Sequence, residues 1–226
     1  MLHYKFEIIL AIVLSVVFFL FWLWQTPGAF GKKLSDAEVD HYISILEKTV
    51  PQKMEDRAEF LDRLRVWGKT DDGKPVYMLN VMRFYEHLQS FPGGPNQGTP
   101  EKANAYYEKI AVSLLLKSGS YPLLGGSTER VRSGEKPGSN LMVYEEELDN
   151  WNRILVVRYP CRRAFIELVT NSDYLKVMPY KLAALKVALV PIKGEAVIPE
   201  LRWVVGGIGL VIFLLAGWIH AASSFY

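Results

Sequence analysis

The chain has 226 residues, half of them apolar, and a formal net charge of +2. So small a net charge, spread over interspersed acidic and basic residues, argues against a nucleic-acid-binding surface. Because Cys161 is the single cysteine, the chain can form neither an intramolecular disulfide nor a cysteine-based metal cluster.

The first element is an apolar segment near the amino terminus. Residues 8–24 carry no charge, and Ser15 is the one polar residue among them. About 17–20 helical residues cross a hydrocarbon core, and Trp22 and Trp24 stand where membrane proteins place aromatic residues. A cleaved signal peptide is disfavoured, because the apolar run is long and no small-residue cleavage site follows it. The sequence therefore predicts a retained transmembrane helix over residues 6–25.

Two amphipathic helices are predicted within residues 34–69. Ser35 and Glu38 form a capping-box pattern, which opens a helix that continues to about Thr49. The second helix is predicted from about residue 55 to residue 68. We expect both to pack on the neighbouring domain rather than on lipid, because the acidic residues of the second helix would be repelled by anionic headgroups.

A domain of alternating strands and helices is predicted over residues 75–194. The predicted strands are 76–84, 121–132, 153–159 and 188–193. The predicted helices are 100–117, 162–170 and a further stretch with Ser172 as its N-cap. Their order, β-α-β-β-α-β, is the ferredoxin-like plan. Tyr106, Ile110 and Leu114 are spaced as the stripe of one helix, Gly125-Gly126 predicts a bulge, and Pro179 predicts a kink or a break.

A second uncharged segment lies near the carboxyl terminus. Residues 203–219 begin at Trp203 and have no polar face, unlike the core helix of a soluble protein. They predict a transmembrane helix over residues 203–222, whose small residues could form a packing face. The predicted fold class is thus α+β, a ferredoxin-like domain between two transmembrane helices.

The charges beside the two apolar segments bear on membrane orientation. Lys32, Lys33, Lys193 and Arg202 flank the domain side, and Lys5 flanks the other side. The positive-inside rule then slightly favours a cytoplasmic domain, with a periplasmic domain as the alternative. We expect a two-pass integral protein of a bacterial inner membrane.

Residues 75–194 also resemble a known family. The strand VYMLNVMRF, the pair Gly125-Gly126, and Trp151 followed by LVVRYPCRRAFIELVTNSDYLKV resemble the domain-of-unknown-function 1330 family of the dimeric α/β-barrel superfamily. The family usually has Trp-Asp and Tyr-Pro-Ser where this chain has Asn152 and Cys161. The resemblance implies a ferredoxin-like fold whose sheet pairs with a second copy to form a barrel, and it implies no reaction.

No motif assigns a reaction to the chain. The histidines match no metal-ligand spacing, the glycine pairs lack a nucleotide-loop context, and a lone cysteine after a Tyr-Pro turn is usually inert. We therefore predict no catalytic residue, no metal and no cofactor. Polar side chains on buried strands need partners, and four residues are candidates for a pocket in the barrel: Asn80, Arg83, Tyr106 and Arg158.

These four residues allow two interpretations. Asn80 and Tyr106 could hydrogen-bond a carbonyl or quinone-like ligand. Otherwise Asn80 satisfies the backbone of a loop, while Arg83 and Arg158 pair with acids at a dimer interface. The strands that contain Val81 and Val156 are expected at the centre of the sheet. Because these central strands are apolar on both faces, each face needs a cover. The second face could be covered by a second copy, by a different subunit or by helices 36–68.

Two functions follow as hypotheses. One is a non-catalytic, membrane-anchored subunit or an assembly or scaffold protein of a larger membrane complex. The other is a membrane-tethered protein, either a binder or an enzyme, that holds a lipophilic small molecule in the barrel cavity. The lack of a nucleophile–base pair in the sequence favours the first. The expected partners are the lipid bilayer and either a second copy or other complex subunits, without nucleic acid.

Overall fold

A computed structural model describes residues 5–26, 33–52, 54, 56–131, 138–142, 149–193 and 201–223. In chain order the elements are α1 (Lys5–Gln25), α2 (Asp36–Thr49), α3 (Arg57–Lys69), β1 (Val76–Phe84), α4 (Pro100–Lys117), β2 (Tyr121–Ser127), β3 (Arg153–Tyr159), α5 (Arg162–Thr170), α6 (Ser172–Ala184), β4 (Leu185–Ile192) and α7 (Leu201–Ser223). Lys32, and the residues 55 and 132 predicted as element ends, lie outside the described ranges. The chain forms two compact units, residues 1–30 with 195–226, and residues 31–194.

The first unit consists of the helices α1 and α7. Both are long and apolar enough to cross a membrane, and none of the residues in their most apolar stretches is buried. The helices touch at Gly206, where an added Cβ would lie 2.9 Å from Phe18 Cε2. The small-residue packing expected from the sequence is therefore present at Gly206, whereas a Cβ at Gly209 or Gly217 would meet nothing within 4 Å among the described residues.

The second unit is built on one antiparallel sheet. Its strand order is β2-β3-β1-β4, and Leu79 of β1 stands between Val156 of β3 and Val190 of β4. The strands that carry Val81 and Val156 are thus central, as the sequence predicted. Together with the surrounding helices, the sheet confirms the α+β class.

The two faces of the sheet have different surroundings. Met78, Asn80 and Met82 alternate with Leu79 and Val81 along β1, because successive side chains of a strand point to opposite faces. The first three are buried, and the other two are half-buried. We call the face with Met78, Asn80 and Met82 the inner face, and the face with Leu79 and Val81 the outer face.

The helices contribute to one core on the inner face. This core joins Met78 and Val157 of the sheet to residues of α2 through α6. The capping box predicted at Ser35 and Glu38 begins α2. Because Gly68 has no side chain, α3 can pack closely against both α2 and α5. A Cβ there would lie 3.0 Å from Val39 Cγ1. The helices within 36–68, one candidate cover for the outer face, thus pack in the inner-face core instead.

Several predicted element details were wrong. Strand β2 ends at Ser127, and its irregularity lies between Pro122 and Leu124 rather than at Gly125-Gly126, because a proline cannot donate a ladder hydrogen bond. Strand β4 begins three residues earlier than predicted, since Leu185 pairs with Phe84.

Helix α6 also differs from the prediction. Its N-cap is Asn171 rather than Ser172, because the Asn171 Oδ1 atom accepts hydrogen bonds from the N–H groups of Asp173 and Tyr174. The helix runs without a break through Pro179. Pro179 is itself buried, so tertiary packing offsets the free-energy cost of the N–H donor that proline lacks.

Candidate functional site

A cavity of about 590 Å³ lies between the inner face of the sheet and the helices. Small-molecule sites typically occupy about 300–1,000 Å³, so the cavity is large enough for a ligand. Its floor includes Met78, Asn80 and Met82 of β1 with Leu155 and Val157 of β3. Residues of α2 through α6 form the remaining walls, and β4 closes one side. Most of the lining is apolar, with a few polar side chains among it.

Helix α4 supplies the polar wall of the cavity. Its buried residues are Pro100, Ala103, Asn104, Tyr107, Ala111 and Leu115. The helix face predicted to be buried, with Tyr106, Ile110 and Leu114, is therefore offset by one residue from the face that is buried, with Tyr107, Ala111 and Leu115. Small side chains explain the difference, because Ala103 and Ala111 allow close packing where larger side chains would not fit.

Lys181 of α6 is the buried cation of the cavity. Its side chain lines the cavity and the residue is only 9% exposed. The Nζ atom lies 5.3 Å from the centroid of the Tyr107 ring. Within the described ranges this ammonium has no ion pair or hydrogen bond to protein. Burial lowers the pKa of Lys181 to about 8, with the charge of Glu108 acting in the opposite direction. The side chain is thus still largely protonated at neutral pH.

The carboxylate of Glu108 lies nearby and is already engaged. Arg153 Nη1 is 3.1 Å from Glu108 Oε1 and donates a 3.2 Å hydrogen bond to Oε2. The Asn104 side-chain amide donates a 2.9 Å hydrogen bond to Glu108 Oε1. Glu108 and Arg153 therefore neutralise one another.

Asn104 contributes a polar atom with unused capacity. The residue is 1% exposed, and its Oδ1 atom has no hydrogen-bond partner in the described part of the chain. A buried acceptor without a partner costs free energy. Asn104 and Lys181 both lie close to Glu108, so this part of the cavity holds a buried acceptor without a partner and a largely buried ammonium without an ion pair among the described residues.

Two tyrosines form a hydrogen-bonded pair at the cavity. The hydroxyl oxygens of Tyr107 and Tyr174 are 3.0 Å apart, and either can be the donor. Burial raises the pKa of both hydroxyls, and burial likewise raises the pKa of Tyr159. These groups therefore stay neutral at physiological pH. They can hydrogen-bond a ligand but cannot serve as ready anionic bases.

Asn80 is the one residue predicted for a pocket that lines this cavity. Its Nδ2 atom donates to the carbonyl oxygens of Met78, at 3.1 Å, and Leu155, at 3.3 Å. The side-chain amide of Asn80 thus satisfies backbone groups, but these belong to strands β1 and β3 and not to a loop as the second interpretation expected.

The structure does not bring the other three candidates to the cavity. Tyr106 is 49% exposed, and its ring centroid lies 4.7 Å from that of Tyr180. Arg83 and Arg158 are on the outer face. Arg83 donates to the carbonyl oxygen of Asp149 and lies over the Trp151 ring. Arg158 is buried and lies over the Tyr121 ring.

Sequence reasoning missed Lys181, Asn104 and Tyr107. A signal existed for Lys181, because it follows Tyr174 by seven residues and so lies on the same helix face two turns later. For α4, counting small residues as buried would have selected Asn104 and Tyr107 over Tyr106.

Metal and thiol chemistry gain no support at this site. The described residues contain no group of three or more histidine, cysteine or acidic side chains that could hold a metal ion. Cys161, at the turn between β3 and α5, is 3% exposed, and burial raises the pKa of its thiol. Thiolates rather than thiols are nucleophiles, so this residue is poorly suited to catalysis.

No protein-family model and no curated protein matches the sequence. Solved structures with a similar fold include the following two. The crystal structure of methylated RPA0582 protein has 21% identity and a TM-score of 0.50, over 67% of this chain and 97% of that chain. The crystal structure of RPA0582, a protein of unknown function from Rhodopseudomonas palustris, has 21% identity and a TM-score of 0.49, over 67% and 98%. At this identity the likeness concerns the fold alone.

Proposed function

We propose that this chain is a membrane-anchored binding protein that holds a small, largely apolar molecule between its sheet and its helices. The observation that carries the proposal is the 590 Å³ cavity with its apolar walls and its few convergent polar groups. Sites of this composition use the apolar walls for affinity and the polar groups for orientation. The sequence suggested a binding cavity inside a barrel formed by two copies of the domain. The cavity proposed here as the binding site lies within a single domain, between its sheet and its helices.

The terminal helices support a membrane location for this function. Large apolar residues along α1 and α7 are exposed, among them Ile9, Phe19, Leu210 and Trp218. In water such surfaces would be costly, whereas in lipid they are favourable. We propose a two-pass protein of a bacterial inner membrane, with the domain in the cytoplasm and the periplasm as the alternative. A lipophilic ligand would concentrate in the same bilayer.

The side chains at the cavity favour binding over turnover. A nucleophile needs a base within hydrogen-bond reach, and the hydrogen bonds of the described residues include no such pair at the cavity. The tyrosines are neutral, and the Glu108 carboxylate is engaged by Arg153 and Asn104. We therefore propose no catalytic residue.

The domain architecture supports a ferredoxin-like assignment. The connections β1-α4-β2 and β3-α5-α6-β4, together with the strand order β2-β3-β1-β4, agree with that plan. We propose a ferredoxin-like domain related to the domain-of-unknown-function 1330 family. The helices α2 and α3 are an addition that helps to enclose the cavity.

A second candidate function rests on the outer face of the sheet. Leu79, Val81 and Val156 are half-buried, and Val190 is 46% exposed. An apolar sheet face of this kind gains free energy when a partner covers it. We propose that a second copy, or another subunit of a membrane complex, packs there. The chain would then be a non-catalytic subunit whose own cavity stays free for a ligand.

Binding of dodecanol to the full chain in phosphatidylcholine nanodiscs tests the first proposal. We expect saturable binding above that of empty nanodiscs. Ala111→Phe places a ring at a buried residue of the cavity wall and should weaken binding by about tenfold or more. Ala105→Phe, on the exposed side of the same helix, is the matched control and should bind as the wild type does.

Two results would overturn the proposal. One is the absence of saturable binding by the folded wild-type protein for dodecanol, dodecanoate and dodecylamine alike. The other is equal binding by wild type and a folded Ala111→Phe variant, since the ligand would then occupy another place. A circular dichroism spectrum and a melting curve establish that the variant is folded.

A further inference from the structure

We propose that the cavity selects an amphipathic monoanion, whose carboxylate head group pairs with Lys181 and whose apolar chain lies against the sheet. This inference rests on the proposed small-molecule function and adds the chemical class of the ligand. The probe for this class is a straight-chain carboxylate such as dodecanoate.

The buried charges around Glu108 do not balance without a ligand. Glu108 and Lys181 line the cavity, and Arg153 binds the Glu108 carboxylate. One acid and two bases leave one positive charge. Because Arg153 and Asn104 already occupy the Glu108 oxygens, the surplus charge resides on the Lys181 ammonium.

The charged residues at the cavity mouth do not supply the missing anion. Asp56, Glu59 and Arg63 of the α3 region also line the cavity. Glu59 is ion-paired with Arg63, and their side chains are 57% and 78% exposed. Asp56 is also exposed. Exposed charges are well solvated and need no partner inside, whereas Lys181 is almost fully buried.

Burial makes an anionic partner for Lys181 worth more than it would be at the surface. An ammonium largely removed from water, as that of Lys181 is, loses hydration that a counter-charge or several hydrogen bonds can replace. The contact with the Tyr107 ring compensates part of this loss. A ligand carboxylate would compensate more, and its remaining lone pairs could accept from the Tyr107 and Tyr174 hydroxyl pair. A ligand amine would face the same ammonium and be repelled.

The walls beyond Lys181 suit an unbranched apolar chain. Met78, Val157 and Leu155 of the sheet face Leu46, Leu64 and Leu168 of the helices across the cavity. No charged residue belongs to this set. The cavity thus combines one buried cation near Glu108 with an apolar wall formed by these six residues, as an amphipathic acid requires.

The test compares dodecanoate, dodecanol and dodecylamine on the full chain in phosphatidylcholine nanodiscs at neutral pH, with empty nanodiscs as the blank. We expect dodecanoate to bind the wild type about tenfold more tightly than dodecanol, a difference of about 1.4 kcal/mol. Dodecylamine should bind most weakly. Lys181→Met keeps the length of the side chain without its charge. It should abolish the preference for dodecanoate while the affinity for dodecanol stays within about twofold.

Two further variants separate charge from position. Lys181→Arg keeps the cation and should retain most of the preference for dodecanoate. Lys176→Met removes a cation from the same helix, where Lys176 pairs with Asp173 and its side chain is 72% exposed. This control should leave all three affinities unchanged.

The outcomes distinguish the inference from the function on which it rests. Saturable binding of dodecanol at least as tight as that of dodecanoate would overturn the anion assignment and leave the binding function intact. Loss of the dodecanoate preference in Lys176→Met would overturn the assignment to Lys181. Failure of all three probes to bind would overturn both proposals. The comparison of probes on the wild type does not depend on any variant folding.

Discussion

The inner and outer faces of the sheet differ although the strands that form them are apolar on both sides. Met78 is 3% exposed on the inner face, while its neighbour Leu79 is half-buried on the outer face. The helices pack on the inner side yet leave a large cavity there. The inner face thus borders an unfilled cavity within the domain, and the outer face is only partly covered at the domain surface. This difference underlies both proposals, a small molecule bound on the inner face and a macromolecule packed on the outer face.

Substitution of the two neighbouring residues in β1 gives the largest expected effect. Met78→Ala enlarges a cavity inside the core and should cost about 2–5 kcal/mol of unfolding free energy. Leu79→Ala should cost about 1 kcal/mol, because its side chain is already partly in water. Melting curves of the full chain in mild detergent measure both. Equal losses from the two variants would contradict the comparison and indicate that a partner covers the outer face in solution.

The tyrosine pair tests whether the inner face depends on satisfied polar groups. Tyr107→Phe removes one hydroxyl and leaves that of Tyr174 without its partner, which should cost about 1–3 kcal/mol. Tyr174→Phe should have a similar effect. The double variant should cost less than the sum of the two, because no hydroxyl remains unsatisfied. Strictly additive losses in melting curves would show that the pair is not coupled.

The ion pair between Glu38 and Arg163 holds the α2 end of the helical layer to α5. Arg163 Nη1 and Nη2 bind the two Glu38 oxygens at 2.8 and 3.0 Å. Hydrogen bonds from Arg163 and from Ser35 lower the pKa of Glu38 from 4.5 to about 2. Glu38→Gln preserves the capping box but removes the charge. It should cost about 1 kcal/mol at neutral pH, since the Glu38 side chain is half-exposed and screened by solvent.

The pH dependence of this pair has a definite sign. A carboxyl whose pKa is lower in the folded state stabilises the fold fully above its unfolded pKa, and that contribution is lost as protonation proceeds. The difference in melting temperature between wild type and Glu38→Gln should therefore be constant above pH 5 and shrink from about pH 4.5 towards pH 2. A difference that stays constant over this range would exclude the charge as its source.

Hydrophobic pattern was enough to predict most of the fold. The apolar terminal segments, the capping box at Ser35 and the central positions of the Val81 and Val156 strands all follow from local composition and period. The boundaries at Ser127 and Leu185 did not follow, because strand ends depend on which residues of the neighbouring strand are available for pairing. The local sequence of one strand does not show which residues of its neighbour are available for pairing.

The candidate site was harder to predict because its polar residues are placed by tertiary packing. Lys181 would ordinarily be assigned to solvent, since lysine is seldom buried. Its burial results from the packing of α6 against α4 and the sheet, which the sequence shows only as periodicity. Arg83 and Arg158 were selected because they lie on strands. The helices, however, pack on the face of the sheet opposite to these two side chains.

Because Cys161 is buried, chemical modification of its thiol can measure local opening of the domain. Cys161 is the only cysteine, and it is 3% exposed at the turn that leads from β3 into α5. Its thiol can therefore react with a reagent only when that turn opens. The rate of modification therefore measures a local opening equilibrium, in the same way that amide hydrogen exchange does. Because α5 forms part of the cavity wall through Phe165 and Leu168, a ligand that tightens this wall should slow the reaction. Occupancy of the cavity would then be read as a delay in labelling, without a spectroscopic probe on the ligand.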